Sequence, residues 1–484
     1  MKEIRKSSKS NSQKSDQNFF TNKKSTNLNQ SEIKKDKNDL NENKSKTDVS
    51  LLESKFKKQI LEKEEKRKYF SEKYIKIENK VKDSLSKQNT DEALKDIVVG
   101  ALVLGASDIH FDCYETYVVV RFRIDGILVD IFRTDHKQYA LILERFKYGS
   151  GLKLNINNVP QDGKYILKVD DDNFKEGYKK IDIRVSTLPT KYGENIVSRL
   201  LDSNKAIIDF DELGFFWITK RMIDKAISKR NGMILVTGPT GSGKTTTLYT
   251  LLSKLNTREK KIITLEDPIE YELGGIIQSE VNEKDSFTFQ TGLKALLRQD
   301  PDIIMVGEIR DRETLNTATS ASLTGHLVLS TLHTKSAVET LDRIINMGLN
   351  PYILASSLDT IIAQRLVRKI CPYCKEEKKK TVQEIAMIKT MMKETGMNIV
   401  SFKNIKLFRG KGCEKCNNSG YKGRIGIFEI ITLNDELREI IRDGASAKEI
   451  TIKAKDSDFI NMKEDGVLKA IKGYTTIEEI LRVV

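Results

Sequence analysis

Apolar and polar positions divide the chain into a polar beginning and a long patterned remainder. The first fifty residues are rich in Ser, Asn and Lys and nearly free of branched apolar side chains. Such a segment cannot bury enough apolar surface to offset its conformational entropy. Residues 1–50 are therefore predicted to be a disordered polar tail.

In residues 51–90 apolar side chains recur at helical spacing among many lysines and glutamates. They are Leu52, Phe56, Ile60, Phe70, Tyr74, Ile77, Val81 and Leu85. The pattern predicts a charged amphipathic helix or linker. Two interpretations stay open, a solvated helix or coiled-coil lead-in, and an arm that docks on an acidic membrane face or a membrane partner.

Residues 91–205 alternate between apolar and polar positions in several short runs. The run TYVVVRFRIDGILVDIF predicts a hairpin that turns at Asp125 and Gly126, and PQDGKYILKV and KKIDIRVSTLPT predict further strands. A separate α/β domain follows. The longest apolar run, residues 97–106, is far shorter than the about 20 residues that cross a bilayer, so a cytoplasmic protein is expected.

A phosphate-binding loop follows the next apolar strand. MILVT (233–237) leads into GPTGSGKT (238–245) and then into the helix-like TTTLYTLLSKL. This strand, loop and helix order is the context that the GxxxxGK[ST] pattern requires. Backbone N–H groups and the helix dipole form the anion site. The loop residues expected to bind nucleotide are Gly238, Thr240, Gly241, Ser242, Gly243, Lys244, Thr245 and Thr246.

Within that loop two side chains have distinct predicted roles. Lys244 is expected to reach the β- and γ-phosphates, and the Thr245 hydroxyl is expected to ligate Mg²⁺. An apolar run, IIMV, ends just before Glu308, and the carboxyl ends of parallel strands face the ligand crevice. In LEDPIEY (265–271), Glu266 and Asp267 have a simpler alternative, which is to cap the turn before Pro268.

Four of the five cysteines form two CxxC pairs. Cys371 and Cys374 are separated by 38 residues from Cys413 and Cys416. Disulfides are disfavoured in the cytosol, so the four thiolates predict a zinc site. Because four thiolates leave no open coordination position, the metal is expected to be structural. Cys113 is left as an unpaired thiol.

The basic charge is uneven along the chain. Residues 1–90 contain 24 Lys and Arg against 14 Asp and Glu, which accounts for ten of the net charge of +14. The remainder is nearly balanced, 59 against 55. The composition of the catalytic part therefore does not indicate a nucleic-acid clamp.

Ten ordered blocks from about Asp91 to Val484 resemble the type II secretion and type IV pilus assembly ATPases, within the secretion ATPase superfamily. They are GASDIHFD, VRFRIDG, PQDGKY, DIRVSTLPTKYGENIVSRLL, GMILVTGPTGSGKTTTLY, LEDPIEY, LLRQDPDIIMVGEIRD, TGHLVLSTLHT, QRLVRKICPYC and GRIGIFEI. The resemblance implies a hexameric cytoplasmic motor. It sits under an inner-membrane platform protein and drives pilin subunits out of, or back into, the membrane.

The resemblance also implies the fold and its boundaries. The fold class is α/β, with a PAS-like domain over residues 91–205 and a linker over 206–218. A RecA-like ATPase domain over 219–484 carries the zinc insert at about 371–416 and a helical C-terminal end. Many relatives have a large folded domain before the ASDIH block, where this chain has the polar tail and one helix.

The resemblance assigns roles to further site residues. Glu270 matches a carboxylate that helps polarise the attacking water, and Glu308 matches the Walker B glutamate, which holds the Mg²⁺ shell or activates water. His326 and His333 match a His box near the γ-phosphate. Arg184 and Arg199 match arginines that reach the nucleotide when the two domains close. We therefore expect Glu308, Glu270 and Lys244 to be the catalytic residues.

The cysteines also indicate whether the motor extends or retracts a filament. In the superfamily they mark the assembly and secretion branch, which favours extension over retraction. Three alternatives remain: a pilus retraction motor, a DNA-translocating or DNA-uptake-associated ATPase, and a regulator with a degenerate nucleotide site. Direct nucleic-acid binding is not expected.

Overall fold

The computed structural model describes residues 72–170, 178–201, 208–393, 405–455 and 459–484. The predicted tail, residues 1–50, and residues 51–71 of the predicted helix or linker lie outside these ranges. Within them no helix is long and apolar enough to cross a membrane. Helices and sheets alternate, which confirms the α/β class.

The bounds of the elements are as follows, leaving aside short 3₁₀ turns. The strands are β1 Ala106–Cys113, β2 Val118–Ile124, β3 Ile127–Thr134, β4 Gln161–Asp170, β5 Tyr178–Thr190, β6 Gly193–Leu201, β7 Gly232–Thr237, β8 Ile262–Glu266, β9 Ile277–Glu280, β10 Ile303–Val306, β11 Leu327–Leu332, β12 Leu358–Ile370, β13 Lys375–Lys378, β14 Leu407–Gly410 and β15 Tyr421–Thr432. The helices are α1 Glu72–Ser86, α2 Thr90–Leu104, α3 His136–Gly149, α4 Trp217–Ile227, α5 Lys244–Leu255, α6 Phe289–Leu296, α7 Arg312–Leu323, α8 Ala337–Asn346, α9 Pro351–Ser357, α10 Val382–Lys393, α11 Asp435–Arg442, α12 Ala447–Lys455, α13 Met462–Ile471 and α14 Ile477–Val483.

The first sheet has six antiparallel strands in the order β3-β2-β1-β6-β5-β4. The hairpin between β2 and β3 turns at Asp125 and Gly126, both with positive φ. One face is apolar and packs against α1, α2 and α3. The opposite face carries charged side chains, because successive residues of a strand point to opposite sides of the sheet.

The six-stranded sheet and the helices α1, α2 and α3 form one unit, called the first unit below, so residues 72–86 are neither a solvated helix nor a docking arm. The apolar stripe of α1, Tyr74, Ile77, Val81 and Leu85, is buried in the same core as α2 and the sheet. Gly100 of α2 allows the approach, since a Cβ there would lie 2.9 Å from Ile77. These four side chains are therefore unavailable to a membrane or a membrane partner.

The second sheet has seven strands in the order β15-β12-β7-β11-β10-β8-β9. All neighbouring pairs are parallel except β12 with β15. Its central strands β7, β10 and β11 are buried apart from Gly232 at the start of β7, and they are mostly apolar, which is typical of a parallel sheet covered on both faces. The carboxyl ends of β7, β8, β10 and β11 consequently meet at one edge.

The C-terminal helices are anchored to β15 by a buried ion pair. Lys469 of α13 donates to Asp465 one turn earlier and to the carbonyl of Gly426, and Asp465 accepts the N–H of Phe428. Both charges are fully buried, where pairing offsets part of the cost of desolvation. This fixes α13 on the strand that runs beside β12.

Candidate nucleotide site and cysteine cluster

The predicted phosphate loop lies between the end of β7 and the start of α5. Gly238, Gly241 and Gly243 have φ of 151°, 78° and 88°, a region that L side chains rarely adopt. A Cβ on Gly238 would also lie 2.6 Å from the carbonyl oxygen of Gln364. Helix α5 begins at Lys244 without a side-chain cap, so its first N–H groups are available to an anion.

Lys244 folds back over this loop. Its Nζ donates to the carbonyl oxygens of Gly238 at 2.9 Å and Pro239 at 3.4 Å. Burial lowers the pKa of Lys244. The negative charge of Glu308 raises this pKa, and the positive charge of Arg365 lowers it. Thr240 and Gly241 are exposed, Ser242 is buried, and Thr245 and Thr246 are partly buried at the start of the helix.

Gln364 braces the loop and was not predicted from the sequence. Its Nε2 donates to the carbonyl oxygen of Ser242 at 2.7 Å, and its Oε1 accepts the Thr247 hydroxyl at 2.8 Å. One buried amide thus joins β12 to both the loop and α5. The only signal in the sequence is an amide placed directly after the apolar run IIA (361–363).

Glu308 lies two residues after β10, at the same edge as the loop. Its Oε1 accepts Nε of Arg310 at 2.6 Å, and its Oε2 lies 3.3 Å from Nε2 of His333. Arg310 also contacts Oδ2 of Asp267 at 3.2 Å and was not predicted as a site residue. The Glu308 side chain is 19% exposed, which leaves the carboxylate accessible beside Arg310 and His333.

Glu266, at the end of β8, is buried and structural. Its carboxylate accepts hydrogen bonds from Thr264 at 2.6 Å, from Gln278 at 3.0 Å and from the Tyr249 hydroxyl. Asp267 instead pairs with Arg310 at the edge of the sheet. Among the described residues neither side chain accepts a hydrogen bond from the backbone of the turn before Pro268, so the alternative that they cap this turn finds no support.

Glu270 is brought against the first sheet. Its Oε2 lies 2.9 Å from Nη1 of Arg184, whose Nη2 donates to the carbonyl oxygen of Ile269 at 2.8 Å. Arg184 therefore crosses from β5 to the acidic loop after β8. A second contact joins Asp125 in the β2–β3 turn to the N–H of Gly423 at 3.0 Å.

Arg199 stands beside Arg184 but has a different partner. The two residues are opposite each other in the β5–β6 register, and Arg199 Nε lies 3.1 Å from Oδ1 of Asp108. Both arginines line a cavity of about 360 Å³ on the polar face of the first sheet. The other lining residues are Asp162, Gly163, Lys164, Val185, Ser186 and Val197. Arg199 remains half exposed, free to change partner.

The structure does not bring His326 to the phosphate loop of its own chain, which corrects the prediction for that residue. His326 precedes β11, and its carbonyl oxygen accepts the N–H of Gly232 at the beginning of β7. The loop follows the other end of β7, roughly 20 Å away at about 3.3 Å per residue. His333 follows β11 and does reach the edge, as its contact with Glu308 shows.

The four predicted metal ligands come together. The Sγ atoms of Cys371, Cys374, Cys413 and Cys416 all lie within 4.8 Å of one another. Three of the pairs are 3.7 to 3.9 Å apart, and a tetrahedron with Zn–S bonds of about 2.3 Å requires about 3.8 Å.

Backbone groups complete the cysteine cluster. The N–H of Gly412 donates to Sγ of Cys374, and those of Cys413 and Gly420 donate to Sγ of Cys416, each at 3.3 Å. Such donors stabilise thiolates, so the donor set fits a zinc ion. Cys113 is buried in the first unit, far along the chain from this cluster.

Comparison with known proteins identifies the family. The family described as Type II/IV secretion system protein matches residues 83–482. Type II secretion system protein E of Aeromonas hydrophila is 45% identical over 380 residues, which are 78% of this chain and 72% of that protein. Type IV pilus assembly ATPase PilB of Pseudomonas aeruginosa is 44% identical over 387 residues, 80% of this chain and 66% of that protein.

A solved structure agrees in fold. The crystal structure of the pilus retraction motor PilT with bound ADP is 27% identical, covers 81% of this chain and 96% of its own, and has a TM-score of 0.52. This identity is well below that of the secretion and assembly proteins, so PilT does not outweigh them. The sequence resemblance and the ATPase prediction are both confirmed: the chain belongs to the Type II/IV secretion system protein family and is an ATPase.

Proposed function

We propose that the chain is a hexameric motor that hydrolyses ATP to power extension of a type IV pilus or of a type II secretion pseudopilus. Its partners would be an inner-membrane platform protein and the associated assembly proteins, which hold it at the inner face of the cytoplasmic membrane. The observation that carries the proposal is that the phosphate loop, Glu308 and Glu270 follow β7, β10 and β8, whose carboxyl ends lie at one edge of the sheet, and that Arg184 of the first sheet contacts Glu270.

In this mechanism the loop from Gly238 to Thr246 binds ATP. Lys244 would leave the carbonyls of its own loop for the β- and γ-phosphates, and the Thr245 hydroxyl would hold Mg²⁺. Holding the ion there would supply positive charge that offsets the negative charge developing in the transition state. Glu308 would orient or deprotonate the attacking water, and Glu270 would assist it.

Arg184 and Arg199 would couple hydrolysis to movement between the two units. Arg184 holds Glu270 in the structure, and closure on a nucleotide would exchange this carboxylate for phosphate oxygens. Arg199 is half exposed beside Arg184, and its guanidinium would likewise leave Asp108 for phosphate oxygens. Because the charge is supplied by another unit, hydrolysis proceeds only in the closed arrangement.

We expect Arg184→Ala and Arg199→Ala each to slow ATP hydrolysis by about 100- to 1,000-fold, the effect of losing one donor that stabilises transition-state charge. Phosphate release by the assembled protein measures this. Arg133→Ala is the matched control, since Arg133 is exposed on β3 of the same sheet and stacks on Tyr117. Unchanged rates in both variants would exclude this coupling.

Whether the motor extends or retracts a filament is tested in cells whose gene for this protein carries Lys244→Ala. If the chain is an extension motor, we expect surface filaments to disappear, or secreted proteins to accumulate inside the cells, because no subunits are added. Electron microscopy of the cell surface and blots of the medium measure these outcomes. Filaments that persist or multiply would identify a retraction motor instead.

A further inference from the structure

We infer that Tyr249 is a positioning residue that aligns Glu270 with the phosphate loop. The inference rests on the role of Glu270 proposed above. Tyr249 lies on α5, which begins at Lys244, so it belongs to the element that carries the phosphate-binding residues. Its ring is fully buried and meets Tyr271 edge-on, with centroids 6.1 Å apart.

The Tyr249 hydroxyl joins α5 to the loop that carries Glu270. It donates to Oε2 of Glu266 and accepts the backbone N–H of Glu270 at 3.3 Å. One oxygen atom therefore touches both ends of the segment 266–270. A movement of α5 on nucleotide binding would be transmitted to this segment without any contact between Glu270 and the phosphate loop.

Glu266 makes the hydroxyl a directed donor. Oε1 of the carboxylate already accepts from Thr264 and Gln278, and Glu266 is 3% exposed, so its other oxygen, Oε2, takes the Tyr249 proton within the protein interior. Burial raises the pKa of Tyr249, and the adjacent Glu266 raises it further, so the phenol keeps its proton at neutral pH. With that proton committed to Glu266, the oxygen lone pairs are available to the N–H of Glu270.

The result is a continuous series of contacts from the phosphate loop to the first sheet. It runs from α5 through Tyr249 to the backbone of Glu270, and from the Glu270 carboxylate to Arg184. In the described part of the chain the Tyr249 hydroxyl contacts Glu266 and the backbone of Glu270, and neither of these groups is proposed to contact phosphate. Its effect is on where the Glu270 carboxylate is held, and hence on the chemical step more than on nucleotide binding.

The test is Tyr249→Phe, which keeps the ring in the core and removes only the hydroxyl. We expect kcat for ATP hydrolysis to fall about tenfold, the effect of one lost positioning hydrogen bond, with the KM for ATP and the affinity for ADP unchanged. In a Glu270→Gln background the same change should slow hydrolysis no further, because Tyr249 acts through Glu270.

Tyr139→Phe is the matched control. The Tyr139 hydroxyl is equally buried and donates to the carbonyl oxygen of Glu194, but in the first unit. It should leave kcat unchanged. A parent-like kcat in Tyr249→Phe would overturn the inference, as would an added loss in the Glu270→Gln background, which would indicate a purely structural role.

The two proposals fail in distinguishable ways. If Glu270→Gln is inactive while Tyr249→Phe is parent-like, only the inference about Tyr249 is wrong. If Glu270→Gln hydrolyses ATP as fast as the parent protein, the proposed role of Glu270 is wrong, and the inference about Tyr249 falls with it.

Discussion

Glu308→Gln should hydrolyse ATP about 100- to 10,000-fold more slowly than the parent protein, the range for loss of a general base. The substitution keeps the size of the side chain and removes its charge. Nucleotide binding should persist, because the phosphate loop and Lys244 are intact. Phosphate release gives the rate, and titration with a fluorescent ATP analogue gives the affinity.

Two features of the structure make Glu308→Gln informative. The Glu308 side chain contacts Arg310 and His333 at the edge of the sheet, and Gln keeps its size, so the substitution changes the charge and leaves the packing in place. Glu313→Gln is the matched control, since Glu313 is exposed in the first turn of α7, five residues away. Hydrolysis within about twofold of the parent rate in Glu308→Gln would contradict its catalytic role.

Cys416→Ser should release the metal and destabilise the cysteine cluster. Structural Zn²⁺ binds zinc-finger peptides with about 10–16 kcal/mol, and that binding energy is folding energy. We expect the zinc content to fall from one ion per chain toward zero. The melting temperature should fall by about 2–4 °C for each kcal/mol of stability lost.

Elemental analysis and thermal unfolding measure both effects. Cys113→Ser is the control, because that thiol is also buried but lies outside the cluster, in the first unit. It should keep the full zinc content. A Cys416→Ser protein with one zinc ion per chain would show that Cys416 is not a ligand.

Local pattern was sufficient for the elements that carry the chemistry. An apolar run predicts the strand before Lys244, three glycines predict the loop, and a stretch of helix-forming residues predicts the helix. The paired CxxC spacing likewise predicted that four thiols converge. In both cases the signal is specific because the chemistry restricts residue type and spacing.

Contacts between segments that are distant along the chain could not be predicted from the sequence. Gln364 reaches the phosphate loop across 122 positions, and Arg184 meets Glu270 across 86, and nothing local distinguishes these side chains from ordinary strand residues. The prediction for His326 failed for a related reason. Two histidines in one motif were assigned to one site, although a strand separates them by its full length.

The amphipathic stripe of α1 shows a further limit. Its periodicity predicted a helix, and the structure has one, but periodicity does not say what the apolar face contacts. Only the fold shows that Tyr74 and Val81 pack against α2 and the first sheet.

The central claim is that ATP is hydrolysed by a ring of these chains through Glu308. The most direct measurement is the hydrolysis rate per chain across fractions separated by size, with mass from light scattering, for the parent protein and Glu308→Gln. The account predicts activity confined to the fraction with the mass of six chains, and its loss from that same fraction in the variant. Full activity in a monomer fraction, or in Glu308→Gln hexamers, would contradict it.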